Sequence, residues 1–217
     1  AMSLDGKTAL ADGQSKWITS EEARSDVQKL RAISSAIVTG IGTILHDDPS
    51  LLVRLQDLDS PNRREAMSIE RPVYVLDPRL RIPLHSKVLE RPSTVLVALE
   101  KEPKEHQHEN EILYAKDKSG RIDLPIFLNE LANREHSNVL FECGATLAGA
   151  LVKEKLFDEI ILYIAPKFLG NSSKSLLMLP ELARISDYER LEIKDVRKIG
   201  DDFRVILSSQ EKRAKDD

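Results

Sequence analysis

Apolar residues fall into short bursts set between polar turns, and the period of these bursts changes along the chain. Ala36-Ile37-Val38-Thr39, Val73-Tyr74-Val75-Leu76-Asp77, Thr94-Val95-Leu96-Val97-Ala98-Leu99, Val139-Leu140-Phe141-Glu142 and the stretch from Asp158 to Pro166 are apolar without alternation. Runs of this kind predict strands covered on both faces, as in a parallel sheet. By contrast, Leu191-Glu192-Ile193-Lys194-Asp195-Val196 and Phe203-Arg204-Val205-Ile206-Leu207 alternate on either side of Gly200-Asp201-Asp202, which predicts an antiparallel hairpin at the C-terminal end. Helices are predicted in the gaps. Thr19-Ser20-Glu21-Glu22 supplies Thr19 as N-cap with Glu22 three residues on, after which Ala23, Val27 and Leu30 share a stripe. Arg24 and Arg31 lie on a neighbouring face, and Arg24 reads as solvated surface. Leu124 to Glu135 predicts a second helix and Thr146 to about Lys155 a third. Strands alternating with helices predict an α/β fold with a mixed, mostly parallel central sheet flanked by helices.

The remaining segments are polar. Ala1 to Leu4 reads as the end of a strand and Asp5-Gly6 as a turn. Gln56 to Arg71 reads as a surface excursion, and Glu100 to Glu111 as a solvated loop in which His106 and His108 have no third metal ligand nearby. A single domain over residues 1–209 is expected, then a charged, disordered tail at 210–217.

Charge and composition narrow the function. A net charge of −4 argues against a nucleic-acid surface. No apolar run approaches the roughly 20 residues of a membrane span. No signal peptide opens the sequence, and the single cysteine, Cys143, cannot form an internal disulfide. Both fit a cytoplasmic protein. The same negative balance repels anions at long range, so an anionic ligand would need a local arginine cluster, for which Arg31 and Arg54 are the candidates.

The richest stretch runs from Gly13 to Arg54. It combines a strand-to-glycine turn, Trp17 among small polar residues, the acidic pair Asp47-Asp48 stopped by Pro49, and both arginines. That inventory suits a phosphate-bearing ligand beside a flat one. Gly40-Ile41-Gly42 invites a dinucleotide fingerprint, but Leu45 stands where a third small residue belongs. Gly144 and Gly149 have Walker A spacing, yet Ala150-Leu151 replaces the Lys-Ser/Thr that a P-loop requires. A strand, a glycine turn and a helix N-terminus remain there, and together these make an anion site. The sequence has no Cys/His cluster for zinc.

Four motifs carry a resemblance: Ser3-Leu4-Asp5-Gly6-Lys7-Thr8-Ala9, Ser15-Lys16-Trp17-Ile18-Thr19-Ser20, Asp47-Asp48-Pro49-Ser50-Leu51 and Glu142-Cys143-Gly144-Ala145-Thr146-Leu147-Ala148-Gly149. In this order the chain, up to about Ser208, resembles the C-terminal reductase domain of the bifunctional riboflavin-biosynthesis deaminase/reductases. The resemblance implies a dihydrofolate-reductase-like fold and NADPH-dependent reduction of the ribosyl group of 5-amino-6-(5-phosphoribosylamino)uracil to a ribityl chain. It assigns Ser15, Arg31, Ser50, Leu51 and Arg54 to the substrate's ribose and 5′-phosphate, and Glu142 to its pyrimidine ring. Ala1, Trp17, Thr43, Asp47, Gly144, Ala145, Thr146, Leu147, Ala148, Gly149 and Ala150 fall to NADPH, with Asp47 and Glu142 as the catalytic candidates. A homodimer is implied, as is an N-terminal zinc deaminase domain in the full-length protein, linked through a lysine-bearing strand ahead of Ala1. Two alternatives stay open: a pteridine or dihydrofolate-type reductase on the same fold, and a catalytically silent NADPH-binding dimer module. Arg31 and Arg54 suit a phosphorylated sugar better than a glutamate tail.

Overall fold

A computed structural model describes residues 1–54, 69–99, 109–184 and 190–209. In chain order the elements are β1 (Met2–Ser3), β2 (Lys7–Ala9), α1 (Glu21–Ile33), β3 (Ala36–Gly40), α2 (Ile41–Asp47), β4 (Val73–Leu76), β5 (Thr94–Ala98) and β6 (Glu111–Tyr114). There follow α3 (Leu124–Asn133), β7 (Val139–Phe141), α4 (Ala145–Lys153), β8 (Glu159–Ala165), β9 (Lys174–Ser175), β10 (Leu191–Ile199) and β11 (Asp202–Ser209). They form two compact units, Val27–Gly144 and Ala1–Asp26 with Ala145–Asp217. The chain passes between them inside α1 and again after Gly144.

The Val27–Gly144 unit holds a five-stranded parallel sheet in the order β6-β5-β4-β3-β7. Its strands lack alternation because both faces are covered, and Ile37, Val38, Val73, Tyr74, Val75, Leu96 and Val97 are all buried. On one side Ile41 and Ile44 of α2 pack with Val88 onto Ile37, Val73, Val75 and Leu96. Elsewhere Phe127 of α3 meets Tyr74 edge-on, ring centroids 5.8 Å apart. Asp123 starts α3 by accepting the Ile126 amide at 2.9 Å. At one edge of the described sheet, Glu111 of β6 is paired with Arg134 at 2.5 Å, and Arg134 also reaches Glu130 at 2.8 Å.

The other unit holds a four-stranded sheet, β1-β8-β11-β10, with β1 parallel to β8 and the rest antiparallel. The predicted hairpin is β10–β11, turned at Gly200 with φ 57°, and it belongs to this sheet rather than to the parallel one. β2 and β9 form a small antiparallel pair. Inside this unit Asp26 accepts hydrogen bonds from the Tyr163 hydroxyl at 2.9 Å and from Arg204 at 2.8 Å. These bonds tie the start of α1 to β8 and β11.

Three local expectations change. The N-cap of α1 is Ser20, one residue after Thr19: the Ser20 hydroxyl accepts the Ala23 amide at 3.2 Å, and Thr19 is buried instead. Gly40-Ile41-Gly42 opens a helix, α2, where only a turn was expected. Burial of Ile41 and Ile44 outweighs the helix penalty of Gly42. Arg71 is not on the surface. It is 4% exposed and donates to the carbonyls of Ala32, Ser34 and Ile69, capping the orphan acceptors at the end of α1. The histidines His106 and His108 and the 210–217 tail lie outside the described residues. Among the described residues no helix is long and apolar enough to cross a membrane, and no cluster of His, Cys, Asp and Glu could hold a metal.

Candidate active site

In the Val27–Gly144 unit Glu142 stands at the carboxyl end of a parallel strand, where sheets of this type take ligands. Glu142 follows β7 directly. Its amide bonds to Val38 O at 2.9 Å and its carbonyl accepts the Thr39 hydroxyl at 2.8 Å, so the backbone beneath its carboxylate is fixed. Arg31, in the last turn of α1, meets that carboxylate with two prongs, Nε to Oε1 at 2.6 Å and Nη2 to Oε2 at 2.7 Å. Nη1 of Arg31 donates to Leu52 O at 3.0 Å. The two side chains are 14% and 22% exposed, so this is a charge-assisted pair with little solvent to weaken it. The fork expected to take a phosphate is thus engaged with the carboxylate expected to take a pyrimidine.

The loop after α2 is anchored at three points. Asp48, left-handed at φ 40°, accepts the Lys87 amide at 2.9 Å with the Lys87 ammonium at 3.4 Å. Those contacts, the backbone bond first, hold its carboxyl below the usual carboxylate range. The Leu51 carbonyl accepts from Arg91 at 3.2 Å, and the Arg54 amide donates to the buried Gln28 side chain at 2.9 Å. Leu51 is 2% exposed, so it could serve a substrate only through its backbone. Ser50 and Thr43 are half-buried, while Asp47 and Arg54 are exposed. Sequence reasoning missed Gln28, Asp48 and Arg91. Only Asp48, inside a recognised motif, carried a signal that could have found it. Burial, with the Glu142 carboxylate adding to it, pushes the Cys143 thiol up to about 12, which disfavours the thiolate that a nucleophile needs.

The other unit carries Trp17, Ser15 and α4. Trp17 is 63% exposed. The Arg24 guanidinium lies 4.3 Å from its ring centroid and donates to Thr19 O at 2.6 Å, so Arg24 is a cation–π partner and not idle surface. Lys167 donates to the carbonyls of Trp17 and Ile18. Ser15 is half-buried, and its carbonyl accepts the Ile18 amide at 3.2 Å. Ala1 is exposed just ahead of β1. The first turn of α4 contains no acidic residue, and its leading amides, from Ala145 onward, have no helical carbonyl to bond. They fit a pyrophosphate, as the exposed ring of Trp17 fits a flat heterocycle. Gly149 has a different task. A Cβ there would sit 2.1 Å from Met178 O, where the chain crosses α4 and Met178 N bonds Ala145 O at 3.0 Å. Thr146 Oγ1 also contacts Met178 Sδ at 3.3 Å. Leu147, Ala148 and Ala150 are half-buried along the helix. Thr43, Asp47 and Gly144 of the expected cofactor set belong to the Val27–Gly144 unit.

Comparison with known proteins places these features in a family. The chain is similar to the riboflavin biosynthesis protein RibD of Escherichia coli K12, 38% identical over 204 residues, covering 92% of this chain and 56% of that protein. It is similar also to a protein of Buchnera aphidicola (strain APS) named 5-amino-6-(5-phosphoribosylamino)uracil reductase, at 37% identity, covering 92% of this chain and 98% of that one. Among solved structures, Acinetobacter baumannii RibD superposes with a TM-score of 0.82 at 33% identity, covering 96% of this chain and 56% of the other. The chain therefore spans little more than half the length of the RibD proteins it matches. The α/β, dihydrofolate-reductase-like fold is the one the four motifs implied. The profile described as the RibD C-terminal domain matches residues 1–205, and the chain belongs to that family.

Proposed function

We propose that this chain is an NADPH-dependent reductase that converts the ribosyl group of 5-amino-6-(5-phosphoribosylamino)uracil to a ribityl chain. The observation that carries the reading is the family match over residues 1–205, together with a relative of nearly the same length named for that reaction. Arg31, Arg54 and the Glu142 carboxylate are the groups such a substrate needs.

Bound NADPH supplies a hydride; what the chain supplies is binding, orientation and a proton. The proposed cofactor contacts are Trp17 and the first turn of α4, from Ala145 to Leu147, in one unit, and Thr43, Asp47 and Gly144 in the Val27–Gly144 unit. Arg54 binds the 5′-phosphate, assisted by Ser15, Ser50 and the Leu51 backbone. Glu142, fixed by Arg31, accepts the N–H groups of the pyrimidine, and Arg31 turns its remaining donors to the substrate. The ring-opened sugar presents an imine-like carbon. Reduction at that carbon would also require a proton at its nitrogen, for which Asp47, exposed at the end of α2, is the candidate acid. In this reading the chain works as a homodimer in the cytoplasm, joined in a longer protein to an N-terminal zinc deaminase domain.

The test is loss of NADPH absorbance on adding 5-amino-6-(5-phosphoribosylamino)uracil, beside its dephosphorylated form and dihydrofolate. Rapid oxidation with the phosphorylated compound alone is expected. Turnover of dihydrofolate instead would move the chain to the pteridine reductases, and cofactor binding without turnover would make it a silent module.

A further inference from the structure

We propose that Lys167 is a positioning residue for Trp17. Its ammonium donates to two consecutive carbonyls, Trp17 O at 3.2 Å and Ile18 O at 2.8 Å. The residue itself stands on fixed ground just after β8. Its carbonyl accepts the Leu4 amide at 2.8 Å, and its own amide bonds Ala165 O at 2.8 Å. Two residues on, the amides of Leu169 and Gly170 are held by the Asp5 carboxylate at 3.1 and 2.8 Å. One long side chain thus reaches from an anchored strand end to a polar loop some 150 positions earlier in the sequence.

That loop has little apolar anchorage of its own, since Gln14, Lys16 and Trp17 are all exposed. What Lys167 holds is therefore the aim of an aromatic ring. Arg24 covers one face of that ring at 4.3 Å, and 63% of the residue is left open. Holding such a ring in place beforehand removes an ordering cost that a flat ligand would otherwise meet on binding. Loss of an exposed ammonium that touches only carbonyls should hardly affect the core. The inference rests on reading Trp17 as a contact for the nicotinamide cofactor.

Because Trp17 is the one tryptophan, its emission reports the loop directly. Three proteins, wild type, Lys167→Met and Lys167→Arg, would be compared by Trp17 fluorescence anisotropy without ligand, by melting temperature, and by NADPH affinity read from the cofactor's own fluorescence. In Lys167→Met the Trp17 anisotropy falls and NADPH binds about tenfold more weakly, the loss of one charge-assisted contact. Its cofactor KM rises alike with kcat within about twofold, while the melting temperature stays within about 2 °C. Lys167→Arg restores both anisotropy and affinity. Unchanged Trp17 anisotropy in Lys167→Met would overturn the proposal, as would a melting temperature that drops together with the affinity. Should the wild type bind no NADPH, the functional reading fails, and the anisotropy comparison still decides what Lys167 does.

Discussion

Arg31 and Glu142, 111 positions apart in sequence, meet as a two-pronged pair at 2.6 and 2.7 Å. Removing either partner strands a half-buried charge, so Arg31→Met and Glu142→Gln each destabilise the protein. The double variant recovers part of the loss, a coupling of about 1–3 kcal/mol in a denaturant-unfolding cycle. Arg31→Lys does not rescue, because an ammonium cannot span both carboxylate oxygens. Strict additivity of the two single changes would show that the pair is not held in solution.

Arg54 and Gln28 separate binding from scaffolding. Arg54 is exposed and its amide, not its guanidinium, bonds Gln28. Arg54→Met should raise KM for the phosphorylated substrate by about tenfold or more, with a smaller melting loss than Gln28→Leu. Gln28→Leu leaves the Arg54 amide without its acceptor and lowers the melting temperature as well. Steady-state kinetics with thermal unfolding on both variants checks this, and equal melting losses in the two would refute it.

Gly149→Ala tests the crossing of Met178 over α4. The added methyl would lie 2.1 Å from a backbone oxygen, and backbone cannot swing aside as a side-chain end can. A destabilisation of about 1–3 kcal/mol is expected. A neutral effect in urea unfolding would mean that the crossing strand is not packed this way.

Asp5 gives the opening motif a structural task with a pH signature. Its carboxyl is lowered to about 2, first by the Ser3 hydroxyl and then by the amides of Gly170 and Leu169. A carboxyl lowered by folding stabilises the folded state above its unfolded pKa, and that contribution fades as pH falls from 3.8 toward about 2. The melting difference between wild type and Asp5→Asn is therefore constant above about pH 4 and shrinks below it. A difference that stays flat down to pH 2 would argue against the latch.

Periodicity revealed the strands well, because a parallel sheet with both faces covered writes itself as unbroken apolar runs, as in Val73–Leu76 and Thr94–Ala98. The hairpin was legible from alternation about Gly200, although Ile193, Val196 and Phe203, the apolar residues that carry it, are exposed rather than core. Motif order revealed the family. What stayed hidden depends on partners distant in sequence. Arg71 looks like the end of a charged stretch until the carbonyls of Ala32 and Ser34 are beside it. Arg24, Arg91 and Lys167 likewise look like solvated cations, yet each holds a loop by its backbone or ring. Strand β6 escaped notice because Glu111-Ile112-Leu113-Tyr114 is short and follows a run of charge. Leu51 reads as a ligand contact, and burial of its side chain in the core leaves only its backbone for that role.

The Glu111–Arg134 pair at the rim of β6 has a consequence for behaviour in a crowded cell. An uncovered strand edge is a template on which other chains can add, and charges placed along it deter such growth. Arg134 holds the Glu111 carboxylate below the ordinary range, which favours its charged form. The ion pair thus does more than tether α3: it fixes charges on the sheet's edge strand, and charges so placed disfavour edge-to-edge association.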